Sequence, residues 1–546
     1  MSTRPLLAAR DLAAPLAWRA GVPVSASQFI AEAAVLAETL PTEGRPVNLC
    51  QDRYRFALGL AAALLRGQTS LMPPNALPET LAQLRDGGPA PYALVDDAAL
   101  DTGTLPRVFV EPPASASPLA AAPEIPAALE AVRLLTSGST GAPQPHGKRW
   151  GQLVQNIGSE AERLAEGLGL PSLAGLAIVA TVPAQHSYGF ESTVLLAMLG
   201  GASFDGGRPF YPADIVDALA RVPRPRALVT TPFHLKTLLA AGLALPPVDL
   251  VLSATAPLSP QLAAQAEDVL GCRLIEIYGC TEAGQVASRR TTEGESWTAL
   301  GALRLWQQGE QFLVHGGHVL EPTPLADVLE LIDERRFRLL GRANDLIHVA
   351  GKRSSLAHLN FQLNRIDGVD DGAFWLPPQD DGAEIVRPVA FVVAPGLTAA
   401  QVIAGLRERL EGAFVPRRVV HVPSLPREAT GKLTAGMLDR FATETLGALD
   451  GHAFTVPADH PAFEGHFPGH PMLPGVVLLT MVMQALERQP ALAARAGAAP
   501  QIDSVKFLAP AGPGMRLRVF LREQGAGVAF DVKHGDTVLA RGQLSR

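Results

Sequence analysis

The sequence predicts an α/β protein with a parallel sheet in its first 340 residues, then a smaller α+β unit, then a separate α+β domain. Three observations carry that expectation. Compact apolar runs alternate with helix-like stretches through the N-terminal part, which is the β-α-β rhythm of a parallel sheet. From Arg336 to Ala350 the sequence turns charged and strand-like, and one amphipathic helix follows at Ala399–Leu410. Beyond a boundary near Gly447–Gly451, a nearly all-apolar stretch, Val476–Leu486, precedes alternating strands. At about 150 residues per domain, the 546 residues accommodate three or four such units.

Each element has its own signal. Segment 1–21 carries Leu6 and Leu7, but Arg10 and Asp11 interrupt any signal-like apolar core. It therefore reads as a surface helix, with a faint likeness to an Arg-rich transit segment. Phe56–Leu65 reads as a helix, and Gly175–Val182 and Ala227–Thr231 read as buried strands. Val248–Ala254 and Arg273–Tyr278 are further strands, separated by the helix Pro260–Leu270 with proline at its first position. Pro416–Thr430 is a proline-marked segment leading to Gly431–Lys432. In the last unit Leu517, Val519 and Leu521 face one way, and Arg516, Arg518 and Arg522 the other. Val528, Phe530 and Val532 repeat that alternation after a turn, so one buried helix and antiparallel strands are expected there.

Composition excludes several classes. With 47% hydrophobic and 18% charged residues the chain has material for several cores and is not disordered. Its 51 glycines and 47 prolines are scattered rather than periodic, which excludes collagen. A net charge of −7 provides no global basic field for nucleic acid or an anionic membrane. Three cysteines without ligand spacing exclude a disulfide framework and a zinc site, and a reducing, cytoplasmic setting is expected. No apolar run reaches the ~18 residues of a membrane span.

The chemistry-bearing segment is Thr136–Pro143 (TSGSTGAP), directly after the apolar Val132–Leu135. Thr136, Ser137, Gly138, Ser139, Thr140 and Gly141 are small, so backbone N–H groups can approach an anion while hydroxyls add donors. It is not a Walker loop, because five residues separate Gly141 from Gly147. Alone, such a run is a plain loop. Four further segments follow in order: Pro183–Gly189 (PAQHSYG), Tyr278–Glu282 (YGCTE), Gly341–Asp345 (GRAND) and Pro426–Lys432 (PREATGK).

This ordered set resembles the adenylate-forming superfamily of acyl- and aryl-CoA synthetases, nonribosomal adenylation domains and luciferases, over roughly residues 15–445. The resemblance implies a large N-terminal α/β domain (1–340) and a small mobile α+β subdomain (341–446). It also implies ATP and Mg²⁺ as reaction partners. Residues 136–141 would hold the ATP phosphates, Tyr278 with Gly279 would lie near adenine, and Thr281 would contact the α-phosphate. Glu282 would hold Mg²⁺, and Asp327 with Arg342 would bind the ribose. Lys432 would contact carboxylate and α-phosphate, where positive charge offsets charge developing in the transition state.

Three departures accompany the match. Gln144 stands where a loop lysine is expected, leaving Lys148 as the nearest cation. Ser253–Leu258 (SATAPL), with Thr255 and Ala256 beside the adenine, has alanine for a usual glycine. In the hinge, Asn344 and His348 replace the usual Asp or Lys and a common Lys. The acyl pocket would draw on His186, Tyr188, Phe190, Thr231, His234 and Ala256, with His186 as a gate or a structural histidine.

Asp459–Gln484 (DHPAFEGHFPGHPMLPGVVLLTMVMQ) resembles the hot-dog 3-hydroxyacyl-thioester dehydratases of fatty-acid synthesis and of aryl-polyene clusters, and the match continues to the chain end. It implies a hot-dog domain at 451–546. Dehydration needs a base, an acid and donors for the enolate oxygen. His466 matches the histidine, and backbone N–H groups near Gly475 would polarise the thioester. The acid position falls on Thr480, with Gln484 one turn on, so an impaired dehydratase or an acyl-thioester binding module is expected. The fusion implies loading of a carboxylic acid, at best guess a hydroxybenzoate starter, onto the phosphopantetheine of an acyl carrier protein, as in aryl-polyene or xanthomonadin-type pigment pathways. An aryl- or medium-chain acyl-CoA ligase with an active dehydratase, and a non-catalytic acyl-binding scaffold, stand as alternatives. The apolar helix Val476–Leu486 further predicts a homodimer.

Overall fold

In the computed structural model, residues 2–546 are described except 74, 86–87, 114–115, 118, 138–142, 343–345, 350–351, 378–386, 428–432, 464–470 and 498. The chain divides into two compact units, Met1–His421 with Ala429–Gly431, and Val422–Glu428 with Lys432–Arg546.

The first unit is built on an eleven-stranded sheet. Its centre is parallel: Ser203–Asp205, Ala177–Ala180, Arg226–Thr230, Leu250–Ser253 and Arg273–Cys280 pair side by side in that order. Every residue of Ala177–Ala180, Arg226–Thr230 and Leu250–Ser253 is buried. Strands covered on both faces read as continuous apolar runs, which is why they were legible without alternation. Helices Pro232–Ala240 and Pro260–Leu270 each start on proline after a hydroxyl cap, Thr231 and Ser259. From Gly284 onward the added strands are antiparallel.

A second, six-stranded sheet ends in the hairpin Glu130–Ser137/Pro143–Arg149. The helix Arg53–Leu65, capped by Asp52, is buried nearly all round. Farther along, strands Asp371–Trp375, Val389–Val393 and Arg418–His421 form the expected smaller α+β group with helices Leu356–Leu363 and Ala399–Arg407. Phe374, Leu359, Val402 and Leu406 are fully buried in its core.

The N-terminal segment differs from expectation. Instead of a surface helix, Thr3–Pro5 pairs with Glu124–Pro126, and Pro15–Arg19 joins the large sheet. Leu6 and Leu7 are fully buried, and Arg10 donates to the carbonyls of Ala197, Ala202 and Pro15. Long-range burial of two leucines outweighs the local helical preference of this segment.

In the second unit, five antiparallel strands run in the order His452–Thr455, Arg516–Gln524, Gly527–His534, Thr537–Ser545, Gln501–Phe507. Leu517, Val519, Val528, Phe530 and Val532 are fully buried, as their alternation predicts. The helix Gly475–Glu487 lays Leu478, Val482, Ala485 and Leu486 on this sheet. Its other face, Val476, Thr480, Gln484 and Glu487, is exposed. The helix is thus amphipathic, and the wet apolar flank expected of it reduces to Val476. The helix Ala435–Asp450 runs through Gly447 and groups with this unit, packing beside His452–Thr455 and Arg516–Gln524. Among the described residues no helix is long and apolar enough to cross a membrane.

Candidate active site

The hairpin Glu130–Ser137/Pro143–Arg149 stays in register to Ser137↔Pro143 and Thr136↔Gln144. Gly138, Ser139, Thr140 and Gly141 themselves lie outside the described residues, as do Asn344, Lys432 and His466. On the returning strand Lys148 is 8% exposed, and its Nζ donates to the main-chain oxygen of Glu282 at 2.5 Å. Burial pushes the Lys148 ammonium below its ordinary range, while Glu191, Cys280 and Glu282 pull it back.

Strand Arg273–Cys280 delivers the YGCTE segment, with a register shift between Tyr278 and Gly279. A Cβ on Gly279 would stand 2.4 Å from the main-chain oxygen of Gly284, so only glycine fits this irregular turn. The Tyr278 ring packs near Trp297 and Phe337, and its hydroxyl donates to Asp327 Oδ2 at 2.8 Å. Asp327 is the register partner of Arg342. Tyr278, expected at adenine, and Asp327 with Arg342, expected at ribose, are therefore brought together. Thr281 is half-buried beside Glu282, whose side chain is 46% exposed with His146 Nε2 3.8 Å away. A carboxylate presented in this way suits a hard divalent cation that keeps several waters.

A cavity of about 460 Å³ lies between these elements, lined among others by Lys148, Asn156, Glu191, Glu282 and His318. His318 Nε2 meets the main-chain oxygen of Ala283 at 3.1 Å, and burial lowers its pKa to about 4, so the ring is neutral. Glu191, Asn156 and His318 were not singled out in the sequence. A glutamate inside the apolar run 189–201 was the one available signal.

The expected acyl-pocket residues separate into two groups. Thr231 and His234 are buried together, with Thr231 Oγ1 3.1 Å and Thr181 Oγ1 3.4 Å from His234 Nδ1. His234 Nε2 is buried without a hydrogen-bond partner among the described residues, and Phe210 and Phe233 stand edge-on to the ring. Burial holds His234 below its ordinary pKa. Phe190, in contrast, is fully buried against Phe56 in the main core. Tyr188 is half-exposed as a residue although its hydroxyl is buried, and His186 is exposed at the start of the short helix Ser187–Gly189. Ala256 is exposed, next to Thr255, which has the left-handed φ of +77°.

In the second unit, Gly475 opens the helix Gly475–Glu487, where a Cβ would stand 2.4 Å from the Phe507 ring. Thr480 Oγ1 donates back to the Val476 carbonyl at 3.1 Å, and Gln484 is exposed one turn on. Asp503 accepts from Ser545 Oγ at 2.6 Å.

Residues 73–303 match the family model of AMP-binding enzymes, and residues 451–543 match that of the ApeI dehydratase, described as ApeI-like. A 4-coumarate–CoA ligase of Rhodobacter capsulatus is 33% identical over 306 residues, covering 54% of this chain and 73% of that protein. A 3-hydroxyacyl-[acyl-carrier-protein] dehydratase FabZ of Gluconacetobacter diazotrophicus is 32% identical over 94 residues, 16% of this chain and 58% of that one. Among solved structures, ATP-bound MatB of Rhodopseudomonas palustris superposes with a TM-score of 0.65 at 19% identity, over 79% of this chain and 96% of its own. The AMP complex of Bacillus subtilis O-succinylbenzoate CoA synthetase gives 0.64 at 18% identity, over 80% and 96%. The fold is the adenylate-forming one over most of the chain, followed by a hot-dog dehydratase-like domain.

Proposed function

Because the chain belongs to the family of AMP-binding enzymes, we propose that it is an AMP-forming acid–thiol ligase. It activates a carboxylic acid as the acyl-adenylate and transfers the acyl group to a phosphopantetheine thiol. The observation that carries this reading is that Lys148 and Glu282 line one polar cavity and are joined through the Glu282 carbonyl, while Tyr278 of the same YGCTE segment holds Asp327. The substrate carboxylate oxygen attacks the α-phosphorus, and pyrophosphate leaves. Thr281 donates to the α-phosphate, and Lys148 and Lys432 offset the charge gathering on phosphate and carboxylate oxygens. Asp327 and Tyr278 hold the nucleoside. Mg²⁺ on Glu282 would neutralise phosphate charge when bound.

Two finer readings belong to the same proposal. The acid is an aryl acid with a hydrogen-bonding substituent, such as a hydroxybenzoate, because His234 presents a ring nitrogen unpartnered among the described residues, with Phe210 and Phe233 edge-on to the ring. A buried polar atom left unpaired is costly, and a substrate hydroxyl would satisfy it. The acceptor is an acyl carrier protein rather than free CoA, in keeping with the dehydratase-like domain and the exposed Arg516, Arg518 and Arg522. That domain binds acyl thioesters and dehydrates them poorly, since Thr480 and Gln484 offer no acid. It dimerises through the edge strand Gln501–Phe507, where Ile502, Phe507 and the adjoining Leu508 are exposed.

Pyrophosphate release with a panel of acids, run with CoA and then with carrier protein, tests the reading. Release that depends on a hydroxylated aryl acid, with salt-sensitive transfer to carrier, is expected. No release with any acid would overturn the ligase reading, and equal efficiency with CoA would overturn the carrier assignment alone.

A further inference from the structure

Glu191 is 2% exposed and sits in the wide-turned π-helical stretch Phe190–Leu195, whose neighbours Val194, Leu195 and Leu196 are fully buried. Packing gives no reason for a carboxylate there. Ser187 Oγ donates to its Oε1 at 3.2 Å, and the side chain lines the same cavity as Lys148 and Glu282. Lys148 is nearly as buried, and among the described residues its ammonium donates to the Glu282 carbonyl. Two buried groups of opposite sign thus line one cavity. Burial disfavours the charged form of each, and each is the foremost opposite charge acting on the other. π-helical turns recur at functional sites because the extra residue re-aims a side chain.

We propose that Glu191 is a positioning residue, the internal counter-charge that holds the Lys148 ammonium at the Glu282 edge of the cavity, where it meets the phosphates of ATP. This rests on the AMP-binding ligase reading above. Lys148 touches the nucleotide; Glu191 acts through it. His318, neutral and tied to the Ala283 carbonyl, and Asn156 complete the polar wall without adding charge.

The test compares Glu191→Gln, Lys148→Ala and their combination by pyrophosphate release, with ATP and the acid titrated separately. Loss of the buried counter-charge, or of the ammonium itself, predicts about a tenfold rise in the ATP KM for each single variant, with the acid KM unchanged. The double variant should be no worse than Lys148→Ala, because the two act as one unit. Thermal unfolding gives a second readout that does not need activity. A lone buried charge is more costly than none, so Glu191→Gln with Lys148→Met should melt above either single variant. An ATP KM raised by Lys148→Ala but unmoved by Glu191→Gln overturns the positioning role and leaves the ligase reading standing. Effects that multiply in the double variant, or melting losses that simply add, overturn it as well. If neither single variant moves the ATP KM, both the role of Lys148 and that of Glu191 fall, while pyrophosphate release by the unmodified protein still decides the ligase reading.

Discussion

Tyr278 donates its hydroxyl to Asp327 at 2.8 Å, joining the strand that carries the YGCTE segment to the strand Asp327–Leu331. The bond prearranges the carboxylate for the nucleotide and engages one of its acceptor sites. Tyr278→Phe should raise the ATP KM several-fold and cost about 1 kcal/mol of stability, leaving the acid KM unchanged. Unchanged ATP kinetics would show that Asp327 is held without this bond.

Lys432 matches the lysine that serves adenylation. Lys432→Ala should nearly abolish pyrophosphate release, while thioester formation from preformed acyl-adenylate survives. On the proposed role, only the first half-reaction develops charge at this side chain. Wild-type-like adenylation in the variant sinks the assignment.

Thr255 bears a β-branched side chain in the left-handed region, with φ +77°. The steric penalty of ~1–2 kcal/mol there exceeds the ~0.4–1 kcal/mol by which a glycine favours the unfolded chain. Thr255→Gly should therefore stabilise the protein, and Thr255→Ala should gain little. Denaturant unfolding monitored on both variants checks the order, which a less stable glycine variant would reverse.

Glu160 is fully buried in helix Trp150–Leu168 and accepts from Ser192 Oγ at 2.8 Å. Burial pushes its pKa up from an ordinary 4.5 to about 8, against the hydrogen bonds from Ser192 and Gln285. A raised carboxyl pKa means that the native state keeps a proton the unfolded chain has lost. Stability contributed by this group is therefore greatest below about pH 4.5 and falls as pH rises to about 8. Glu160→Gln should flatten that decline, raising the melting temperature at pH 8 more than at pH 5. An equal effect at both values would place the ionisation elsewhere.

Thr480 and Gln484 occupy the exposed stripe of the helix Gly475–Glu487. Thr480→Glu should raise dehydration of a 3-hydroxyacyl thioester by supplying the missing acid, a contribution of typically 10²–10⁴-fold at about its best. Rapid dehydration by the unmodified protein, lost in His466→Ala, would refute the impaired reading.

By itself the sequence determined the parallel strands, the helix Pro260–Leu270 with its leading proline, and the alternation of Leu517, Val519 and Leu521. These are short-range signals, set by burial on two faces, by a proline at the first helical position, and by the period of two. It also determined the order of the nucleotide motifs, whose residues are adjacent and need no partner to be seen. Tertiary structure alone decided that Leu6 and Leu7 would be buried beside a strand rather than on a surface helix. It also gave the helix Gly475–Glu487 a polar wet face and assigned Phe190 to the core. Only the fold set Glu191, Asn156 and His318 around the cavity of Lys148 and Glu282. Such pairings depend on which distant segments exclude water from one another, and that energy belongs to the packed chain, not to any local stretch of it.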